Sequence, residues 1–284
     1  MTRTRPDTYG YVYASLGRTG LANMLFPWAR ALAISEATGA TLLPERWRKL
    51  RLGPWLRREA DKRQYQKLFR RPSASGVVAR SSALLGATLW DEQGQRIRGG
   101  SKANVLVVKG MGEFFDPLIV VRPLIRQTIF DKARPNVLTT LEHERYAAMH
   151  VRLGDFARPR PFGAAPTRNL STPLQWFVSA ATHMVDEGTL GPIVVCSDGT
   201  DDELQPLLAL PGVVRSRSTN ALDDLHVLSR ASLIVGSSST FSAWGAFLGD
   251  VQLYVAPGAN HYLQGNPRVF EIDDWSQTGR MSAG

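Results

Sequence analysis

Apolar and polar stretches take turns along the second half of the chain in a regular order. Short apolar runs of strand length alternate with segments whose apolar residues recur at the spacing of a helix. This alternation specifies a parallel sheet covered by helices on both faces. The predicted strands are 146–152, 192–196, a short one near 213, 232–236 and 251–255, and the predicted helices are 173–187, 202–210, 221–230 and one from about 240.

The first half of the chain carries the same kinds of element in a less regular order. A strand at about 8–14 leads through the loop SLGRTG to a helix that ends near Gly39, and the apolar runs TLLP and NVLVVKG predict two further strands. Residues 72–103 are poorly periodic and rich in Gly, Ser and Ala. The sequence therefore predicts two α/β domains, an N-terminal one over 1–140 and a C-terminal one over 141–284.

Composition narrows the class of protein. The single cysteine, Cys196, excludes a disulfide framework and a thiolate metal cluster, and the N-terminus lacks the apolar core of a signal peptide. We therefore expect a cytoplasmic protein. The uncharged window 231–249 has nearly the length of a membrane span, but its six hydroxyl residues favour a buried strand, a Ser-rich turn and a helix.

Positive charge is concentrated in residues 46–71. This segment holds 11 Lys and Arg against Glu59 and Asp61, which matches the net charge of +9 of the whole chain. A solvated pair of helices, or a peripheral contact with an anionic membrane surface or an acidic acceptor, would fit this composition. Nucleic acid is not expected, because no DNA- or RNA-binding motif accompanies the charge. The charges are interleaved with apolar residues, namely Trp47, Trp55, Tyr65, Leu68 and Phe69.

Polar side chains cluster where three of the predicted strands end. They are His150, Arg152 and Asp155 after the first strand, Ser197 and Asp198 after the second, and Ser237 to Thr240 after the third. The carboxyl ends of parallel strands meet at one edge of a sheet, and ligands bind there at the point where strand order reverses. These residues are therefore predicted to form one binding site.

The chemistry of these residues is suited to an anion. Arg152 offers a planar guanidinium that matches phosphate oxygens, and the Ser-rich turn lies before a helix whose N-terminus attracts negative charge. A diphosphate between the two would satisfy both, although the serines are equally suited to cap the helix. In the helix 221–230, one of Asp223 and Asp224 is explained by the helix dipole, and the other can accept hydrogen bonds from a base or ribose.

Several reaction classes lack their sequence signatures. The chain has no G-x-x-x-x-G-K-[ST] loop for nucleoside triphosphates and no G-x-G-x-x-G loop for dinucleotides. It also lacks H-E-x-x-H and D-x-D, so we expect no protein-bound metal.

Four stretches of sequence, in the same order, resemble glycosyltransferase family 11, the α-1,2-fucosyltransferases within the wider group of GDP-fucose-dependent enzymes. GLANMLFPWARALA (20–33) resembles the N-terminal G-x-G-N-x-L-F-x-x-A stretch of that family, and HVRLGDF (150–156) resembles its H-V-R-R-G-D-Y motif. VCSDGTDDE (195–203) is similar to its strand followed by Ser-Asp. DLHVLSRASLIVGSSSTFSAWGAFL (224–248) is similar to its Ser-rich strand and helix.

The resemblance implies a GT-B-type fold, in which two Rossmann-like domains with parallel sheets face a cleft. It implies a GDP-sugar, most simply GDP-fucose, as a co-substrate that the C-terminal domain holds. It further implies a glycan acceptor on the N-terminal side, no metal or other cofactor, and inversion at the anomeric carbon of the donor.

The resemblance also implies roles for individual residues. Arg152 would bind the donor diphosphate, Asp224 would bind the guanine or ribose, and His150 would line the nucleotide pocket. Asp155 and His150 are the candidates for a general base, and a salt bridge to Arg152 or a turn cap is the alternative role of Asp155. Further donor contacts are expected from Asp223, Ser197, Asp198, Ser238, Ser239 and Thr240, and the loop with Gly20 and Asn23 is expected to face the cleft.

Three positions depart from the family pattern. Leu153 stands where the family has a second arginine, Ala22 where it has a glycine, and Pro27 where a polar residue is usual. A second hypothesis is therefore a catalytically silent protein that binds a sugar nucleotide or a glycan, and a transferase that uses another nucleotide sugar is a further alternative. A third hypothesis, a basic nucleic-acid-binding protein, predicts binding that depends steeply on salt and on the arginines of residues 46–71. The basic and aromatic character of residues 46–103 favours a lipid-linked glycan at the cytoplasmic membrane face as the acceptor.

Overall fold

The computed structural model describes residues 6–47, 65–141, 143–153, 172–188, 191–258 and 268–275. These residues form two α/β units, and the chain passes from the first to the second between Arg134 and Pro135. Within the described ranges, we find no helix with the length and hydropathy that a membrane span requires.

The first unit is built on a five-stranded sheet in the order β2-β1-β5-β3-β4. Neighbouring strands are parallel, except that β4 runs antiparallel to β3. Its strands are β1 (Tyr11–Ser15), β2 (Thr41–Leu42), β3 (Thr88–Trp90), β4 (Arg96–Arg98) and β5 (Asn104–Lys109), and its helices are α1 (Leu21–Thr38), α2 (Ala74–Leu84) and α3 (Arg122–Asp131).

Helix α1 fits the pattern that predicted it. Leu21, Leu25 and Trp28 are buried, and the helix ends where Gly39 takes a left-handed conformation (φ 71°) and donates its N–H to the carbonyl of Ser35. Pro27 lies in the interior of α1. Burial of the surrounding apolar face holds the helix together despite the missing N–H of this proline.

The aromatic residues of the basic segment belong to the core of the first unit. Trp47, Tyr65 and Phe69 are buried. The rings of Trp47 and Phe69 stack with centroids 4.2 Å apart, and Trp28 of α1 lies beside Trp47. The prediction that these side chains face a membrane or an acceptor is wrong for these three, because their apolar area is already buried against α1. Trp55 and residues 48–64 as a whole lie outside the described ranges.

The second unit is a six-stranded, fully parallel sheet in the order β11-β10-β9-β6-β7-β8. The predicted alternation of strands and helices is confirmed. Its strands are β6 (Ala147–Val151), β7 (Ile193–Ser197), β8 (Val213–Arg215), β9 (Leu233–Gly236), β10 (Gln252–Val255) and β11 (Val269–Glu271), and its helices are α4 (Leu174–Asp186), α5 (Asp201–Leu208), α6 (Ala221–Arg230) and α7 (Thr240–Gly249).

The order of strands reverses once in this sheet, between β6 and β9. From β6 the chain adds β7 and β8 on one side, and it then returns to add β9, β10 and β11 on the other side. This is the doubly wound arrangement, in which a crevice opens beyond the carboxyl ends of the two strands at the reversal. The expected α/β class with parallel sheets is thus confirmed for each unit.

Two glycines allow α7 to lie close against α6. A Cβ at Gly245 would lie 2.7 Å from the Cβ of Leu228, and one at Gly249 would lie 2.5 Å from the carbonyl oxygen of Ser229. Larger residues at either position would push the helices apart. The close packing fixes where α7 begins, and therefore fixes its N-terminus against the end of β9.

Two parts of the structure differ from the sequence-based expectation. Residues 72–103, which show little periodicity, contain α2, β3 and β4, and β11 was not predicted. None of the side chains of α2 is buried. A helix without a buried stripe has no apolar period of 3.6 residues, so its pattern could not reveal it.

Candidate functional site

The ends of β6 and β9 are joined by hydrogen bonds at the point where strand order reverses. The carbonyl of His150 accepts from the N–H of Ser237 (2.9 Å), and the Ser237 hydroxyl accepts from the N–H of Arg152 (3.0 Å). Ser237 is buried, so its hydroxyl replaces the strand partner that the backbone of Arg152 loses where β6 ends. The main chain of Arg152 is fixed in this way at the mouth of the crevice.

Asp198, after the end of β7, holds the same segment from the other side. Its Oδ1 accepts from the N–H of Leu153 (2.8 Å), and its Oδ2 lies 3.6 Å from Nε of Arg152. The Arg152 side chain remains 27% exposed. A guanidinium that is positioned by a carboxylate and still reaches solvent is arranged to meet an anion with little further ordering.

His150 is a buried, neutral imidazole. Ser242 donates its hydroxyl proton to the carbonyl of Ser237 (2.8 Å) and lies 2.7 Å from Nδ1 of His150. Since a hydroxyl has one proton, Nδ1 of His150 must carry a hydrogen and donate it to Ser242. Burial and the neighbouring Arg152 cation lower the pKa of His150 to about 4, against a smaller opposing effect of Asp198.

These properties favour a positioning role for His150 over that of a general base. With a pKa of about 4, the ring would hold a proton poorly at neutral pH, and it is only 6% exposed. Its ring lies 4.9 Å from that of Phe241 in α7. His150 thus connects the end of β6 to the first turn of α7.

The hydroxyls of the Ser-rich turn after β9 differ in burial and in their role at the start of α7. Ser239 is the N-cap of α7, and its hydroxyl accepts from the N–H of Ser242 (3.2 Å). Ser238 and Thr240 are only half-buried and stand at the same helix end. The capping alternative therefore describes Ser239, and Ser238 and Thr240 lie at the same positive end of the helix, where negative charge is attracted.

The turn after β7 is braced by its own side chains. The Ser197 hydroxyl accepts from the N–H of Gly199 (3.0 Å), and one Nη of Arg215 donates to the carbonyls of Ser197 (2.9 Å) and Gly199 (3.0 Å). Ser197 and Asp198 thus stabilise the rim of the crevice, and their hydrogen bonds described above are made with protein groups.

Leu153 packs into the same turn. A Cβ at Gly199 would lie 2.6 Å from Cδ1 of Leu153, whose side chain packs against the core of the second unit. An apolar side chain therefore suits this position, where the resembling family has its second arginine. The side chain of Leu153 covers Gly199 instead of adding a second cation to the crevice.

The two acids at the start of α6 have different environments. Asp223 is fully buried, and its Oδ1 accepts from the N–H (2.8 Å) and the hydroxyl (3.2 Å) of Thr139. The side-chain amide of the N-cap Asn220 donates to the carbonyl of Val137 (2.8 Å). Asp223 and Asn220 therefore tie the segment before β6 to α6, which accounts for Oδ1 of Asp223, whereas its Oδ2 is buried without a hydrogen-bond partner among the described residues.

Asp224 is half-buried and accepts a hydrogen bond from the hydroxyl of Ser218. Burial raises its pKa to about 6, partly opposed by hydrogen bonds from Ser218 and from the thiol of Cys196 at the end of β7. The carboxylate is therefore mainly ionised at neutral pH. Of the two acids, Asp224 is the one that can offer an acceptor to a ligand.

The remaining predicted residues lie elsewhere. Gly20 precedes α1 as its N-cap, with no side chain to close the first turn, and Asn23 is half-buried in that turn, beyond the carboxyl end of β1. Both lie in the first unit, whereas the crevice residues lie in the second. Asp155 lies outside the described residues.

Sequence reasoning missed two side chains that hold the site in place, Ser242 and Arg215. The S-x-x-S spacing of Ser239 and Ser242 is the one local signal that would have pointed to Ser242. Among the residues that the structure describes, no group of three or more His, Cys, Asp or Glu side chains is placed to hold a metal ion.

Comparison with solved structures finds a partial likeness to several fucosyltransferases. POFUT1 in complex with GDP-fucose has a TM-score of 0.46 and 14% identity over 96% of this chain and 100% of that chain. A mutant of Arabidopsis thaliana FUT1 in complex with GDP has a TM-score of 0.46 and 11% identity over 92% and 73%. NodZ α-1,6-fucosyltransferase soaked with GDP-fucose has a TM-score of 0.39 and 14% identity over 89% and 97%. No protein-family model and no curated protein sequence matches the chain.

Proposed function

We propose that the chain is a glycosyltransferase that uses a GDP-sugar, most simply GDP-fucose, as its donor. The observation that carries the proposal is the position of Arg152 at the strand-order reversal of a doubly wound sheet, together with the N-terminus of α7 at the end of the neighbouring strand β9. A diphosphate needs two such groups, a cation and a set of N–H donors.

In the proposed reaction, an acceptor hydroxyl attacks the anomeric carbon of the donor as the bond to GDP breaks, which inverts the configuration. Arg152 and the N-terminus of α7, with Ser238 and Thr240, stabilise the charge that develops on the departing diphosphate. Ser237 and Asp198 hold Arg152 in place, so little reorganisation is needed during the reaction. These groups supply the charge stabilisation that a metal ion supplies in other transferases.

Recognition of the nucleoside is assigned to Asp224. An ionised carboxylate can accept two hydrogen bonds from neighbouring N–H donors, which guanine presents on its Watson–Crick edge, or from the hydroxyls of a ribose. Uracil and thymine offer a single N–H on that edge. The proposal thus predicts a preference for GDP-sugars over UDP- and dTDP-sugars.

The general base and the acceptor side rest on the sequence. Asp155 is the proposed base, since His150 is neutral and buried. The GT-B arrangement, membership of glycosyltransferase family 11, and acceptor contacts near Gly20 and Asn23 follow from the motif resemblance. A cytoplasmic location is proposed from the use of a single cysteine. A glycan, including a lipid-linked one reached through residues 46–71, is the proposed acceptor.

A binding protein without turnover is the second candidate. Leu153 favours it, because the crevice holds one arginine at the end of β6 where the resembling family has two. Such a protein would keep the diphosphate contacts of Arg152 and the N-terminus of α7 while stabilising a departing GDP less well.

A panel of nucleotide sugars tests the donor class. Thermal unfolding is measured with GDP-fucose, GDP-mannose, UDP-glucose and dTDP-glucose for the wild type, Arg152→Ala and Arg145→Ala. Arg145 is an exposed arginine before the amino end of β6, so its replacement is the matched control. We expect stabilisation by the GDP-sugars in the wild type and the control, and none in Arg152→Ala.

Two results would contradict the proposal. Indifference of the wild type to every nucleotide would exclude a donor site, and equal stabilisation of Arg152→Ala would exclude the role of Arg152. Release of GDP from GDP-fucose in the presence of glycan acceptors then separates an enzyme from the silent binding protein, which stabilises but does not turn over.

A further inference from the structure

The outer face of α2 lacks the charged side chains that a helix facing water usually carries. Val77, Val78 and Leu85, which follows the helix, are 41%, 67% and 74% exposed. Arg80 is the one charged residue of the helix, and it turns inward, where its Nη2 donates to the hydroxyl of Tyr13 (3.2 Å) and its guanidinium lies over the Tyr13 ring. The side that faces solvent carries only apolar, Ala and Ser side chains.

This outward apolar face is additional to the face that packs against the protein. Ala83 and Leu84 pack against the buried cluster of Leu43, Ala87 and Val105. Val78 and Leu85 are seven residues apart in the sequence, which places them on one side of the helix, away from that cluster. Folding of the first unit therefore leaves the apolar side chains of the outer face exposed.

Exposed cations lie beside one end of this face. The guanidinium of Arg98 donates to the carbonyl of Leu84, and a Cβ at Gly86 would lie 3.5 Å from Cδ of Lys102, so both cations lie beside the end of α2. The cations of this rim are Arg98 and Lys102, with Arg96 on the same side of β4 as Arg98.

Acidic side chains are withdrawn from the rim. Residues 70–102 contain two acids. Asp91 is buried and accepts the N–H of Gln95, and Glu92 is bound to Arg30 of α1 by two hydrogen bonds (2.9 and 3.1 Å). The positive charge of the rim is therefore not neutralised by its own segment.

We propose that this surface binds an anionic lipid bilayer. The surface, called here the α2 surface, consists of Val77, Val78 and Leu85 with the three rim cations. In the bound state the apolar side chains enter the boundary between headgroups and acyl chains, while the cations contact anionic headgroups. The α2 surface belongs to the first unit and does not depend on the proposed donor site of the second.

The charges of the rim decide between a membrane and a second copy of this chain. A twofold dimer through this surface would place two positive rims against each other, which is unfavourable. A bilayer with anionic headgroups offers a flat apolar boundary and negative charge at once. The surface fits that occupant in both shape and charge.

Vesicle binding tests the proposal. The full chain is sedimented with vesicles of phosphatidylcholine alone and with vesicles of phosphatidylcholine and phosphatidylglycerol in equal parts, at physiological salt. The variant Val78→Glu/Leu85→Glu is compared with Ile119→Glu/Val120→Glu, which adds the same charges at exposed apolar residues beyond the carboxyl end of β5. We expect wild type and control to bind the anionic vesicles alike, and the α2 variant to bind at least about tenfold more weakly.

The rim is tested by Arg96→Glu/Lys102→Glu, which should also weaken binding and should reduce its dependence on salt. Circular dichroism and thermal unfolding establish that each variant is folded. Absence of binding to anionic vesicles, equal binding to neutral vesicles, or an equal loss in the control would overturn the proposal. Self-association of the wild type that disappears in Val78→Glu/Leu85→Glu would show that a second copy covers the surface instead.

Discussion

The crevice at the end of β6 and the α2 surface differ in how firmly the protein holds their side chains. At the crevice, Arg152, His150 and Asp198 are each fixed by hydrogen bonds or an ion pair from a neighbouring strand end or helix. On the α2 surface, Val78 and Leu85 are largely exposed, and the rim cations lie beside them. The first arrangement is suited to a ligand with a fixed position of charge, and the second to a partner without one.

The difference teaches where substitutions should matter. A fixed polar site loses function when one group is removed, because its neighbours are left without a partner in a buried place. A substitution on an exposed apolar surface weakens only the binding of its partner, and the free energy of unfolding changes little. The following substitutions separate these two kinds of site, beginning with the largest expected effect.

Replacement of Arg152 by Ala should abolish most turnover while leaving the fold intact. The guanidinium is proposed to stabilise the departing diphosphate, so the rate of GDP release from GDP-fucose should fall about 100- to 1000-fold, equivalent to about 3 to 4 kcal/mol. Arg145→Ala should retain the wild-type rate. A rate of Arg152→Ala within about threefold of the wild type would show that the crevice does not meet the donor diphosphate.

The stability of the second unit should depend on pH through two groups of opposite sign. His150 has a folded pKa of about 4 against an ordinary value of 6.5, so the stability present above pH 6.5 is lost as the pH falls toward 4. Asp224 has a folded pKa of about 6 against 3.8, so its contribution is present below pH 3.8 and is lost as the pH rises through 6. Each amounts to about 3 kcal/mol, and in the wild type they largely offset each other.

Removal of either group should reveal the pH dependence of stability that the other group causes. As the pH falls from 6.5 to 4, the unfolding free energy of Asp224→Asn should decrease steeply, whereas that of His150→Asn should increase. Asparagine at 150 can still donate to Ser242. Chemical denaturation at several pH values measures the slopes, and identical slopes in the wild type and both variants would refute the assignment.

Asp223 should matter for stability and Asp224 for binding. Asp223→Ala leaves the N–H and hydroxyl of Thr139 without their acceptor in a buried place, which should cost about 2 to 3 kcal/mol of unfolding free energy. Asp224→Asn removes the cost of ionising this carboxylate in the folded state, so at pH 7 it should be at least as stable as the wild type, but it should bind GDP more weakly. Titration calorimetry with GDP checks the second effect, and the reverse pattern would exchange the roles of the two acids.

Replacement of Ser242 by Ala should loosen the connection between β6 and α7. The change leaves Nδ1 of His150 and the carbonyl of Ser237 without a partner, and we expect a loss of about 1 to 2 kcal/mol. Ser81→Ala, at an exposed position of α2, should change stability by less than about 0.5 kcal/mol. The chemical shifts of the His150 ring nitrogens provide a second reading, since a purely packing role of Ser242 would leave the Nδ1–H tautomer unchanged.

The fold of the second unit could be predicted because each of its helices buries one apolar face against the sheet. The strand ends could be predicted too, since polar residues directly after apolar runs mark the edge of a parallel sheet. The pattern could not tell which of two adjacent polar residues turns inward. Asp223 is buried against Thr139 and Asp224 is not, and that difference depends on a segment 84 residues away in the sequence.

The first unit was harder to predict for a related reason. The pair of Arg30 and Glu92 joins residues 62 apart, and no local pattern announces it. The aromatic residues of the basic segment were assigned to the surface because their neighbours are charged, but Trp47 and Phe69 stack in the core. Helix α2 escaped detection because its outer face breaks the rule that polar residues face water.

Substitutions on the α2 surface should have the smallest effect on stability and on GDP release, and a small effect would show that this surface does not serve the fold. Val78→Glu/Leu85→Glu replaces two side chains that are 67% and 74% exposed, so unfolding free energy should change by less than about 0.5 kcal/mol. GDP release without vesicles should equal that of the wild type. Denaturation and the GDP assay check both, against Ile119→Glu/Val120→Glu. A loss of several kcal/mol would mean that the outer face of α2 stabilises the first unit, and its apolar character would then serve the fold and not a membrane.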